Sequence, residues 1–248
     1  MKQTLSAIFA LFMLPTLLLA KSPDAMLSLR LGYTFGGTAP IPMPASIRKI
    51  CDYSLQFSPQ LGVDYTLAFT PHWALRTAVL FENKAMSEDA RVKSYHTEMI
   101  RGGQSIKGLY TGKEHTSVRE WMFTVPVQAE YFVSKKLALR AGPYVSVLTS
   151  KSFTGSAYNG YIRVGVPTGA KIDIGNDDET KGTYDFSSNM RNFQWGIGMG
   201  ADWYASKHLG AYAEFNWGMS GIHKGNFKSI EQTLYPMYAT LGVIYKIK

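Results

Sequence analysis

Eight charged residues are the first candidates for chemistry in this sequence: Arg30, Asp64, Arg76, Glu130, Arg140, Asp202, Glu214 and Lys246. Each lies in a segment where apolar and polar residues alternate, and each falls on the polar parity of that segment. Acids and bases gathered in one interior could line an ion pathway or form a catalytic carboxylate site. They could equally be a plug of salt bridges, because buried charges are tolerated only when paired and hydrogen-bonded. Asp64 and Arg76 lie symmetrically about residue 70, and Glu130 and Arg140 about residue 135. Two hairpins are therefore expected to bring these pairs together. The plug is the favoured reading, because eight strands leave room for side chains and not for an open channel.

Other reactive residues are scattered. The histidines are His72, His96, His115, His208 and His223, with no HExxH and no close His/Cys cluster. His96 and Glu98 could share a metal, but solvated loop residues are the expectation. The acidic run DIGNDDETKG carries Asp173, Asp177, Asp178 and Glu179, without the ligand spacing of a calcium loop. A serine–histidine–acid group would have to use Ser94, His96 and Glu98, which share one connection and lack anchoring on separate strands. No catalytic, cofactor-binding or metal residue is expected. Cys51 is the only cysteine, which excludes an intrachain disulfide.

The elements that carry the charges are eight alternating runs: residues 27–35, 61–69, 73–81, 121–131, 137–147, 195–205, 209–217 and 235–245. Short connections at residues 70–72, 133–136 and 205–208 alternate with long ones at about 36–53, 84–117, 149–190 and 220–232. The pattern predicts an all-β fold, an eight-stranded antiparallel up-and-down transmembrane β-barrel. It has four long outside loops and three short periplasmic turns.

WGIGMGADWYA, residues 195–205, indicates which face points inward. Gly196, Gly198 and Gly200 lie on the polar parity, with Gly32, Gly62, Gly142, Gly210, Gly218 and Gly242. A face crowded by an eight-strand interior requires small residues; a face in bulk water does not. The opposite parity carries all five tryptophans. Phe35, Phe81, Trp121, Phe123, Trp195, Trp217 and Tyr235 mark the loop end. Phe69, Trp73, Tyr131, Trp203 and Tyr245 mark the turn end, with aliphatic residues between. Two aromatic belts around an aliphatic band match a bilayer with two interfaces.

Residues 1–20, MKQTLSAIFALFMLPTLLLA, read as a signal peptide cleaved after Ala20, leaving residues 21–248 as the barrel domain. Lys2 is the only charge lost, so the formal net charge falls from +8 to +7. That balance suits an anionic membrane surface, and an exported protein is expected to bind no nucleic acid.

FTVPVQAEYFVSKKLALRAGPYVSVL, residues 123–148, resembles the core hairpin of PorT-like outer-membrane β-barrels of the Bacteroidetes type. The shared marks are Pro126, Tyr131 before a tight polar turn, and Gly142-Pro143-Tyr144. FSPQLGVDYTLAFTPHWALRTAVLFENK is similar to that family's second and third strands, and the likeness spans most of residues 26–248. It implies insertion by the Bam machinery among outer-membrane lipid and lipopolysaccharide. The ending LGVIYKIK departs from the family's final aromatic residue. Three functions follow from this reading. The first is a non-enzymatic surface barrel whose loops bind a protein partner or serve envelope structure. The second is an accessory component of a secretion system. The third is a lipid-modifying enzyme.

Overall fold

The computed structural model describes residues 25–247; the signal peptide expected at residues 1–20 lies outside the described residues. Among the described residues there are eleven strands: β1 (Ala25–Pro40), β2 (Ile47–Leu55), β3 (Pro59–Ala68), β4 (Trp73–Arg101), β5 (Gln104–Phe132), β6 (Leu137–Val164), β7 (Lys171–Ile174), β8 (Gly182–Asp185), β9 (Phe193–Tyr204), β10 (Leu209–Gly218) and β11 (Leu234–Lys246). Eight of them pair antiparallel in the order β1, β3, β4, β5, β6, β9, β10, β11. Pairing of β11 with β1, Leu31 opposite Val243, closes the ring. A closed ring has no free edge, which is what a strand-built membrane crossing requires.

The three short turns share one device. Thr70 Oγ1 accepts from the Trp73 N–H at 2.9 Å, Ser134 Oγ from Leu137 at 3.1 Å, and Ser206 Oγ from Leu209 at 3.0 Å. Each hydroxyl satisfies a backbone donor where the chain reverses.

The opposite end differs from the expected loops. Residues 84–101 and 104–117 are strand. β4 and β5 are each 29 residues long and meet at a two-residue turn, Gly102-Gly103, with φ of 54° and 79°. Both angles are positive, as a tight hairpin turn demands. β6 also runs on to Val164, and β7 and β8 fold back against it. Bulges explain why strict alternation misses these stretches. One lies in β4 between Val92 and Tyr95, and two in β6, where the register with β5 shifts. The inward parity on β4 changes there from even (Met86, Ala90, Val92) to odd (Tyr95, Thr97, Met99).

The side chains change solvent along these long strands. Between the belts the outward face is apolar and bare, with Leu31, Leu61, Val63, Leu139, Ile197, Met199 and Val243 exposed. The inward face is polar and buried. Past the outer belt the order reverses. Met86, Val118, Phe153, Tyr184, Phe186, Met190 and Ile222 form one buried apolar cluster, and Val92, Tyr95, Met99, Tyr110, Ala157, Ile162 and Ile174 form a second. The lower segment suits hydrocarbon outside; the upper one is built like a water-soluble core.

Candidate functional site

Six of the eight charges expected in the interior form a closed ring of alternating sign. Arg76 Nη2 reaches Asp64 Oδ2 at 2.7 Å, and Asp64 Oδ1 lies 3.0 Å from Arg30 Nη2. Arg30 Nη1 meets Glu214 Oε2 at 2.7 Å, and Glu214 also bonds Arg140. Arg140 Nε donates to Asp202 Oδ1 at 3.2 Å, and Asp202 returns to Arg76. Each arginine thus meets two carboxylates, and each carboxylate two arginines, with all six side chains buried. Glu130 hangs from the ring at Arg76 Nη1, 3.4 Å away, and accepts from Thr66 Oγ1 at 3.3 Å.

Both hairpins bring their expected pair close, but only one of the two pairs bonds. Asp64 and Arg76 bond, although Arg76 lies opposite Thr66 in the ladder. Glu130 and Arg140 do lie opposite each other in the ladder, but their side chains bond other partners. A crowded lumen lets a long guanidinium reach across to a third strand, so ladder neighbours need not be bonding partners. Lys246 stands apart from the ring, with Nζ 3.5 Å from the centroid of the Tyr204 ring.

The glycines of WGIGMG make room for this network. A Cβ on Gly198 would lie 2.5 Å from Asn216 Oδ1, and one on Gly200 would lie 2.8 Å from the Arg140 guanidinium carbon. A second polar storey, nearer the outer belt, was not singled out from sequence. Glu82 accepts from Gln60 Nε2 at 2.7 Å and Thr124 Oγ1 at 2.6 Å, with Lys84 Nζ 3.2 Å away, and Gln194 Nε2 donates to Glu120 at 2.6 Å. The signal was available: Glu82, Lys84 and Glu120 continue the parity of Arg76 and Glu130 past Phe81 and Trp121.

The belt residues lie on the outward face. Phe35, Phe81, Trp195, Trp217, Phe69, Trp73, Tyr131, Trp203 and Tyr245 are exposed, and Trp121 and Tyr235 half-buried. Phe81 packs against Trp121 and Phe123 with centroids 5.2 and 5.0 Å apart, and Trp73 against Tyr131 at 4.9 Å.

Ser94, His96 and Glu98 do not assemble. The Ser94 N–H bonds Thr111 Oγ1, and Glu98 accepts from Ser105 and Ser229 at 2.9 and 2.8 Å. A different relay sits on the outer part of β4 and β5. Ser87 Oγ lies 3.2 Å from His115 Nε2, and His115 Nδ1 lies 3.1 Å from Asp89 Oδ1. The connectivity is that of a nucleophilic triad. Yet Ser87 is only 7% exposed, in a ladder row between Ser54 and Ser117, where a carbonyl carbon has no approach. Tyr158 Oη also donates to Asp89 at 3.1 Å, so the relay belongs to a wider surface hydrogen-bond ladder.

A model of the outer membrane protein beta-barrel domain matches residues 23–224. The chain belongs to that family. No curated protein matches it in sequence. Among solved structures, it resembles CarO2 of Acinetobacter baumannii, with 13% identity, 89% of this chain and 99% of that one covered, and a TM-score of 0.44. It also resembles Ail of Yersinia pestis, solved with the heparin analogue sucrose octasulfate, at 9% identity, 90% and 97% coverage and a TM-score of 0.38. The family match, the closed eight-strand ring and the bare apolar band identify an outer-membrane β-barrel of the Gram-negative type.

Outside its membrane band this barrel encloses two further carboxylates, Glu114 buried and Glu88 half-buried. Glu88 and Glu114 line a cavity of about 40 Å³ between the two apolar clusters, with Met86, Tyr95, Phe153 and Tyr184. Burial pushes Glu114 up to about 8, with the Glu88 charge adding to it. Burial raises Glu88 as well, followed by Asp89. Among the described residues no three His, Cys, Asp or Glu side chains converge to hold a metal.

Proposed function

We propose that this outer-membrane barrel is a non-enzymatic surface protein. In this reading the lumen ring is a structural plug, and the strand extension beyond the outer belt is a recognition module. The observation that carries the reading is the second, apolar core above the belt. A barrel that only filled membrane area would need no folded core outside it. β4 continues twenty residues past Phe81, about 66 Å of strand at ~3.3 Å per residue. The charge ring supports a closed lumen, because an ion path would need the plug broken. The outer-membrane setting supports contacts with lipid and lipopolysaccharide, removal of residues 1–20, and insertion by the Bam machinery. The PorT-like hairpin at residues 123–148 supports a narrower version, in which the partner belongs to a protein-export assembly.

Cys51 gives a direct test. It is exposed, it lies in β2, and it is the sole cysteine of the chain. A membrane-impermeant maleimide should label it on intact cells. Labelling only after lysis would place the extension in the periplasm and overturn the reading. A fluorophosphonate should leave Ser87 unmodified; a Ser87 adduct would make the protein an enzyme.

A further inference from the structure

On the outer surface of the extension, three cations share one ladder row. Lys49 on β2 lies opposite Arg91 on β4, and Arg91 lies opposite Lys113 on β5. Like charges directly opposite in a sheet repel. The nearest acidic row, Asp52 and Asp89, is one outward position away, but Asp89 is already held by His115 and Tyr158. Among the described residues none of these three cations takes part in a salt bridge.

Beside this row lies a cleft of about 380 Å³. Arg48, Arg91, Lys93 and Lys113 line it with Asn159 and Tyr161, and no carboxylate does. Its walls are the two bulges. Ser94, with φ 53°, follows Lys93, and Asn159 has φ 52°. Among the described residues these are the only non-glycine positions with positive φ. Strained backbone of this kind persists where the surrounding structure holds it, and it gathers at binding sites. Here the bulges turn side chains out of the regular alternation around one set of unpaired cations.

We infer that this cleft binds phosphate- or sulfate-bearing stretches of an acidic polysaccharide, an inference that rests on the extension being at the cell surface. Guanidinium groups fit such anions bidentately, with the lysines as point charges. Height selects a polymer over a lipid headgroup. Arg91 is ten residues beyond Phe81 of the outer belt. That is about 33 Å of strand, or roughly 25 Å above the interface at a tilt of about 40°. Lipid phosphates lie at the belt itself.

The test uses the full barrel folded in detergent, with dextran sulfate, phosphorylated mannan and neutral dextran as probes, and vesicles containing lipid A as a fourth arm. Dextran sulfate or phosphorylated mannan should bind well above neutral dextran, and which of them binds tighter names the anion. The triple variant K49Q/R91Q/K113Q should bind about tenfold more weakly or worse. A charge-matched variant at the turn end, K135Q/K136Q/K207Q, should bind as the parent does. If the triple variant loses the heat-dependent gel shift of a folded barrel, R48Q/K93Q replaces it and should also weaken binding. Equal losses in the cleft and turn-end variants, binding no better than neutral dextran, or binding confined to lipid A vesicles would each overturn the proposal. Cys51 labelled on cells without polysaccharide binding removes the cleft alone. Cys51 shielded on cells removes the surface reading beneath it.

Discussion

Arg76 and Asp202 bond across the lumen although β4 and β9 share no ladder. They are 126 residues apart in the chain. Backbone pairing holds each strand to its two neighbours; this contact ties opposite walls together and completes the ring of six charges. Losing one member leaves its partners charged and buried, which costs about 3–5 kcal/mol for a buried pair.

Bonding in the ring, and not ladder position, should therefore decide energetic coupling. Arg140→Met and Glu214→Gln, measured singly and together by urea unfolding in lipid, should couple by about 1–3 kcal/mol. Arg140→Met with Glu130→Gln should couple by less than about 0.5 kcal/mol. Stronger coupling in the second cycle would mean that the ring is wired differently.

Depth in the bilayer should grade the outward face. Met199 and Trp203 are both bare, at 54% and 52% exposure, but Met199 lies midway between Trp195 and Trp203. Met199→Arg should cost about 2–4 kcal/mol of folding into lipid, and Trp203→Arg about 0–1. Equal costs would remove the belts from their assigned interfaces.

The filled lumen should not conduct. Purified barrel in planar bilayers should show at most rare, small events, while Arg76→Ala combined with Asp202→Ala should raise their frequency. Stable large openings from the parent protein would contradict a plug built from the ring and the Glu82–Lys84 storey.

Stability of the extension should fall in alkali. The folded state holds the Glu114 proton up to about 8, against an ordinary 4.5, so the folded form binds more protons in that window. Its contribution is full below 4.5 and is lost as pH rises through 8. Glu88 adds in the same direction. His223, which burial pushes down to about 4, acts the opposite way: its contribution is present above 6.5 and is lost as pH falls toward 4. Proteolysis of the extension should therefore accelerate between pH 6 and 8.5, and Glu114→Gln should flatten that rise. An unchanged slope in the variant would assign the pH dependence elsewhere.

The eight barrel strands were legible because period-two alternation survives wherever one face meets lipid and the other a packed lumen. Leu27 to Phe35 and Trp195 to Trp203 show it without interruption. The charges of the ring were legible for the same reason, since polar parity alone places Arg30 or Glu214 inward. Their partners were not. A guanidinium spans several ångströms, and the cross-lumen bond from Arg76 to Asp202 leaves no trace in local spacing. The extension was hidden by its bulges. Between Val92 and Tyr95 the inward parity shifts by one, and a reader counting by twos sees the strand end there. The relay of Ser87, His115 and Asp89 was equally invisible, because it depends on the register of β4 against β5 in a segment read as loop.

The reversal of polarity near Phe81 and Trp121 also bears on how the strands find their alignment. A one-residue slip of β4 against its neighbours would turn Arg76 and Glu82 toward hydrocarbon and, in the same movement, Met86 and Ala90 toward water. Each long strand is thus proofread twice, by two solvents with opposite preferences. An alignment that satisfies only one of them is rejected by the other.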